Sequence, residues 1–303
     1  MSAQIISGRD ISASIRSELE DRVAALREEQ GVTPGLATVL VGANPASEMY
    51  VGMKNRAAAK LGIHSRQITL DADTTQDELM GVVEGLNADP GIHGILVQLP
   101  LPDGLDEAEV LEAIDPAKDV DGFHPLNVGR LLTGSGDFFA PCTPAGVVEM
   151  LLRTGHDPQG KEVVVLGRSN IVGQPLANLL LRKAQGGNAT VTLCHTGTPD
   201  IGKFTREADI VIAAVGRPEV ITAEMVREGA VVVDVGVNRV EDASKKRGYR
   251  LVGDCAFEPM LEKVSAITPV PGGVGPMTIT MLLYNTLESA QKVLNSNGDA
   301  IHS

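Results

Sequence analysis

The chain has 303 residues, 43% of them hydrophobic, with 33 glycines, 17 prolines, no tryptophan and only 3% aromatics. That length allows one large domain or two of roughly 150 residues each, around an aliphatic core of Val, Ile, Leu and Ala. The formal net charge of −13 argues against a nucleic-acid partner, whose phosphates need a basic field; it reads as a solvated acidic surface that still permits a local basic pocket.

Along the chain, helical periodicity runs from Asp10 to Gln30 and stops at Gly31, a suitable C′ residue. Leu36–Val41 reads as a strand. Asn44 is placed to cap a helix with Pro45 in its first position, running to about Leu61 before Gly62. Ser65–Leu70 reads as a second strand, Thr75–Asn87 as a second helix, and Gly94–Gln98 as a third strand closed by Pro100 and Pro102. This β-α-β-α-β order implies parallel strands. Regularity lapses between Asp115 and Pro144 into Gly, Pro and Asp, and a helix from Ala145 to about Arg153 leads into a second domain. There Val163–Leu166, Ala189–Leu193, Ile210–Ala214 and Val231–Val235 read as parallel strands covered on both faces. After Ile267 comes TPVPGGVGPMT, then a helix from about Met277 to Leu294, free to pack back across the first domain.

The most informative stretch is KEVVVLGRSNIVGQP, Lys161–Pro175. A strand runs into Gly167, a loop carries Arg168 and Ser169, and a helix begins after Gly173, near Pro175. Such a turn presents backbone N–H groups and a helix N-terminus to a phosphate. A site for NAD tends to place an acid about 20 residues on, accepting from the ribose 2′-OH. No Asp or Glu appears between Gly167 and Asp200, and the next strand ends in Cys194, His195 and Thr196. Arg168 stands where a 2′-phosphate could be met. The segment therefore reads as an NADP site; an ordinary glycine turn with a surface arginine is the competing account.

In the first domain Tyr50 and Lys54 share one helix face, with Ala57 and Leu61 continuing the stripe. A lysine against an apolar surface loses solvation and becomes usable in proton transfer, unless its head snorkels into water. Gly52 in mid-helix invites a close approach by a ligand or another backbone. Gln98, ending a strand, can donate and accept at once, although a strand terminus needs no function. Asp121 in KDVDGFHP is either an Asp-Gly turn or a carboxylate free to accept paired N–H donors; His124, followed by Pro125, reads as structural. The Pro269–Pro276 loop either admits a ligand to its backbone or acts as a hinge. Cys142, Cys194 and Cys255 are far apart without metal-ligand spacing, so no metal site is expected and each reads as a small buried hydrophobe rather than a reactive thiol. Charged residues Arg9, Asp10, Arg16 and Glu18 precede any long apolar run, no signal peptide is expected, and no stretch approaches the roughly 20 apolar residues that span a bilayer. A cytoplasmic protein with no membrane partner is the expectation.

ASEMYVGMK (Ala46–Lys54), GILVQLPLP (Gly94–Pro102), KDVDGFHP (Lys118–Pro125), GRSNIVGQP (Gly167–Pro175) and ITPVPGGVGPMT (Ile267–Thr278) occur in this order. Over nearly its whole length the chain thereby resembles the FolD family of bifunctional methylenetetrahydrofolate dehydrogenases and methenyltetrahydrofolate cyclohydrolases. The resemblance implies an α/β fold with two domains. These are a folate-binding catalytic domain over 1–143 and a Rossmann-like NADP domain over 144–270, with 271–303 as a loop and helix returning to the first domain. It also implies a cleft holding both ligands, and a homodimer. By motif position Lys54 is the central catalytic residue, Tyr50 stacks along the folate, Gln98 tunes Lys54 and places a water, and Asp121 holds the pterin ring. Gly167, Arg168, Ser169, Thr196 and Val237 contact NADP, and Pro271, Gly272 and Gly275 line the substrate. Two departures stand out: the Lys183–Asn188 connection is longer than the family norm, and Thr196 replaces a common serine. A dehydrogenase that has lost hydrolysis, or a non-catalytic NADP-binding regulator, are the alternatives; the retained Lys54 and Gln98 speak against both. A Tyr and Lys at this spacing also occur in short-chain dehydrogenases, but there they follow the glycine-rich turn, whereas here they precede it.

Overall fold

Apolar, β-branched runs bounded by glycine and proline become strands, and the amphipathic stretches between them become helices. The computed structural model describes residues 2–299. Its first half contains β1 (Gln4–Ile5), α1 (Gly8–Gln30), β2 (Gly35–Val41), α2 (Pro45–Lys60), β3 (His64–Leu70), α3 (Gln76–Ala88), β4 (Gly94–Val97), α4 (Glu107–Ala113), α5 (Pro125–Thr133) and α6 (Cys142–Arg153). Then come β5 (Glu162–Leu166), α7 (Gly173–Leu181), β6 (Thr190–Cys194), α8 (Gly202–Thr205), β7 (Ile210–Ala213) and β8 (Val231–Asp234). The hairpin strands β9 (Asn238–Glu241) and β10 (Tyr249–Val252), α9 (Phe257–Met260), β11 (Ala266–Ile267) and α10 (Val274–Asp299) follow. Among the described residues no helix is long and apolar enough to cross a membrane.

Two compact units form. One joins Ser14–Cys142 to the C-terminal helix from Ile279 on; the other joins the segment through Ala13 to Thr143–Thr278. The expected first domain, 1–143, is thus corrected at its start. Gln4 and Ile5 pair in parallel with Ala266 and Ile267, and the Ile6 N–H donates to the Ile267 carbonyl, so the first residues belong to the nucleotide-type sheet. A two-residue strand carries no alternation, which is why periodicity missed it. The expected loop-and-helix segment 271–303 is divided as well, with Pro271–Thr278 remaining in that unit.

In the smaller-sheet unit the strands run in the order β3-β2-β4, all parallel. Every residue of β2 is buried, and its Ala37, Val39 and Val41 pack with Leu79, Val83 and Leu86 of α3 and Ile95 and Val97 of β4. The Asn44 side chain accepts from the Ala46 and Ser47 N–H groups and starts α2; Thr75 and Glu78 form a capping box on α3. The C-terminal helix packs within this unit. Its partners on α1 are explicit: Arg22 pairs with Glu288, and Arg16 donates to Thr280. Asn285 donates to the Val120 and Ala140 carbonyls.

The other unit holds a six-stranded sheet, β1-β11-β8-β7-β5-β6. Each pairing in it is parallel. Chain order reverses beside β5, which pairs with β6 on one side and β7 on the other, so the crevice outside the carboxyl ends there is a ligand position. The irregular stretch expected over 115–144 is corrected in one respect: it contains α5, nine residues with His124 as its N-cap and Pro125 in its first turn.

Candidate active site

In the Ser14–Cys142 unit, Lys54 lies on α2 and Gln98 directly follows β4. Lys54 Nζ donates to Gln98 Oε1 at 3.1 Å, while the Gln98 amide nitrogen donates to the Leu99 carbonyl at 2.7 Å. Lys54 is half-buried, so its amine is held by a neighbour. Tyr50, one turn earlier, keeps 46% of its surface exposed, leaving its ring available for contact. The atoms nearest to where a Cβ on Gly52 would stand belong to the flexible Arg56 side chain, at 3.3 Å and beyond.

Asp121 is half-buried. Burial pushes its carboxyl above the ordinary aspartate range, Lys54 opposes that rise, Asp119 adds to it, and the Cys142 thiol lowers it. Its own turn does not use it. Asp119 accepts from the Gly122, Phe123 and His124 N–H groups and from the Asn127 amide, so the turn is built on Asp119 and the Asp121 carboxylate is left for other partners. Gly122 has φ +79°, and a Cβ there would lie 2.6 Å from the Pro141 nitrogen. The Cys142 thiol donates to the Val120 carbonyl at 3.3 Å, and burial together with Asp121 raises its pKa well above 9. His124 is structural: its Nδ1 accepts from the Leu126 N–H. Cys142 is buried, as expected; Asp119 and Asn285 were missed in the sequence, and only the D-x-x-G spacing of Asp119 to Gly122, typical of an Asp side chain accepting from its own turn, signalled one of them.

In the six-stranded unit the glycines of the turn are sterically required. A Cβ on Gly167, whose φ is +114°, would lie 2.1 Å from the Ala214 carbonyl oxygen, and one on Gly173 would lie 1.9 Å from the Gly167 oxygen. Ser169 Oγ accepts from the Val172 N–H at 3.2 Å and more distantly from Gly173; Val172 offers α7 no side-chain cap. Arg168, Ser169 and Thr196 are exposed, as is Val237, at 53%. Pro271 and Gly275 are exposed too. The Gly272 carbonyl accepts from the Arg9 N–H, and a Cβ on Gly275 would meet nothing within 4 Å.

A parallel sheet with a sterically required glycine turn, beside which Arg168, Ser169 and Thr196 are exposed, is the arrangement of dinucleotide-binding α/β proteins. The family model for the tetrahydrofolate dehydrogenase/cyclohydrolase catalytic domain matches residues 6–121. The NAD(P)-binding domain model of the same family matches residues 141–294. A "Bifunctional protein FolD" of Syntrophus aciditrophicus is 57% identical over 291 residues, 96% of this chain and 98% of that relative. Two solved structures agree. The bifunctional FolD of Campylobacter jejuni has a TM-score of 0.90 at 46% identity, covering 96% of this chain and 99% of that one. The Trypanosoma brucei methylenetetrahydrofolate dehydrogenase-cyclohydrolase, complexed with NADP and an inhibitor, scores 0.91 at 42% identity and covers 97% and 99%. The chain belongs to the tetrahydrofolate dehydrogenase/cyclohydrolase family.

Proposed function

We propose that Lys54, held by Gln98 and near Asp121, is the proton-transfer centre of this bifunctional folate enzyme. The enzyme oxidises 5,10-methylenetetrahydrofolate to 5,10-methenyltetrahydrofolate with NADP, then hydrolyses the product to 10-formyltetrahydrofolate. The observation that carries the residue assignment is the 3.1 Å Lys54–Gln98 contact in the unit where Asp121 senses the lysine charge.

Nitrogen lone pairs on either side of the methylene bridge stabilise the cation left when hydride departs, so the protein supplies mainly proximity and orientation. When bound, NADP is the hydride acceptor. Gly167, Arg168, Ser169, Thr196 and Val237 are its proposed contacts, with the Arg168 guanidinium on the 2′-phosphate. Asp121 accepts paired N–H bonds from the pterin, Tyr50 stacks along it, and Pro271, Gly272 and Gly275 contact the substrate. In hydrolysis Gln98 orients the attacking water and Lys54 moves protons during attack and ring opening.

A homodimer in the cytoplasm is the proposed state, supported by the family resemblance. Sedimentation of the purified chain tests the dimer. For the activity, one preparation is assayed for NADPH formation from methylenetetrahydrofolate and separately for hydrolysis of methenyltetrahydrofolate without cofactor. Both rates are expected; absence of either refutes the bifunctional reading.

A further inference from the structure

We infer that Asp254 is a positioning residue for the dinucleotide, fixing two strand-end loops, one that carries the contact Val237 and one that borders the phosphate turn at Gly167; this rests on the NADP reading of the preceding section. Asp254 is fully buried. Its Oδ2 accepts from the Val215 N–H at 2.6 Å and the Gly216 N–H at 3.0 Å. Its Oδ1 accepts from the Arg217 N–H at 3.0 Å and the Asn238 amide at 2.9 Å. One carboxylate thus joins the loop after β7 to Asn238, the residue that opens β9 and ends the β8–β9 loop.

Both loops lie at the carboxyl ends of the strands, where an open parallel sheet receives its ligand. The β7 loop begins at Ala214, whose carbonyl occupies the space a Cβ on Gly167 would need, so its path also limits the path of the phosphate turn. The second loop displays the exposed Val237 between Gly236 and Asn238. Asp254 itself is set by Asp234, which accepts from the Gly236, Asp254 and Cys255 N–H groups. Two glycines make room for the pair. A Cβ on Gly236 would lie 2.2 Å from the Asp254 carboxyl, and one on Gly253 would lie 1.9 Å from Asp234. Seven hydrogen bonds onto two carboxylates, beneath the rim and without a surface of their own, describe a device for holding backbone in place. Asp254 touches no ligand directly; it acts through the main chain.

The bifunctional enzyme supplies its own control, because hydrolysis of methenyltetrahydrofolate needs no dinucleotide. In Asp254→Asn one oxygen becomes a donor facing N–H groups, which breaks part of the clamp. The NADP KM of the full-length variant is expected to rise about tenfold or more, with the folate KM and the cofactor-free hydrolysis rate unchanged. An unchanged NADP KM would overturn the inference, and so would parallel loss of both activities in a folded variant. If Asp254→Asn does not fold, Asn238→Ala carries the test, since it removes one bond and leaves the three backbone partners; a rise of a few fold in NADP KM alone is expected, and no rise overturns the inference. Val237→Asp separates the two levels of the argument. If it raises the NADP KM while the Asp254 and Asn238 variants do not, only the clamp fails; if it too has no effect, the placement of NADP on these loops fails.

Discussion

Lys54 Nζ and Gln98 Oε1 stand 3.1 Å apart, joining the middle of α2 to the residue that follows β4. The Leu99 carbonyl accepts from the Gln98 amide nitrogen, which leaves Oε1 to accept from Lys54. Replacing Gln98 with Glu puts a full negative charge on that contact and sets an acceptor oxygen against the Leu99 carbonyl. Cyclohydrolase kcat in Gln98→Glu is expected to fall about a hundredfold, with the NADP KM little changed; a rate within twofold of the parent speaks against the role.

Arg168 is exposed at the mouth of the glycine turn, and a charge-assisted bond to phosphate contributes roughly 1.5–3 kcal/mol. Arg168→Ala should raise the NADP KM about ten- to a hundredfold and leave that of NAD nearly unaltered. Equal losses with both dinucleotides would mean that Arg168 does not read the 2′-phosphate.

Asp119 is a structural prediction. It is buried, at 2% exposure, and takes three backbone N–H groups and the Asn127 amide. Asp119→Ala orphans those donors and is expected to destabilise the protein by about 3 kcal/mol or more, read by chemical denaturation. It should also raise the folate KM, because the Asp121 turn loses its frame. A variant as stable as the parent contradicts this.

Asp234 gives a pH signature. Burial raises its carboxyl to about 6 despite N–H groups that pull the other way. A raised carboxyl contributes stability that is fully present below its unfolded value, ~3.8, and is lost as pH climbs through the folded value. Between pH ~4 and ~6 this group alone withdraws on the order of 3 kcal/mol. The stability of the parent relative to Asp234→Asn should therefore decline across that window. A difference that stays flat with pH would show that Asp234 titrates normally.

Much of this was legible in the sequence, for identifiable reasons. Long apolar strands such as Gly35–Val41 and the capped start of α2 at Asn44 are local patterns, and so is the glycine turn at Gly167. Lys54 and Gln98 were each visible as candidates, but 44 residues separate them, and nothing local says that they meet. Their assignment came from motifs in register. Asp254 and Asp234 gave no signal at all, because a buried carboxylate that gathers N–H groups from distant loops looks like any surface aspartate until the fold is known. The β1–β11 pairing was hidden for a similar reason, since two residues are too few to show a period.

The most direct measurement is cofactor-free hydrolysis of methenyltetrahydrofolate by Lys54→Met, whose side chain keeps comparable bulk and removes the amine. Turnover should fall by at least about a hundredfold in a protein that remains folded and still binds NADP. Undiminished turnover in that variant would contradict the assignment of proton transfer to Lys54.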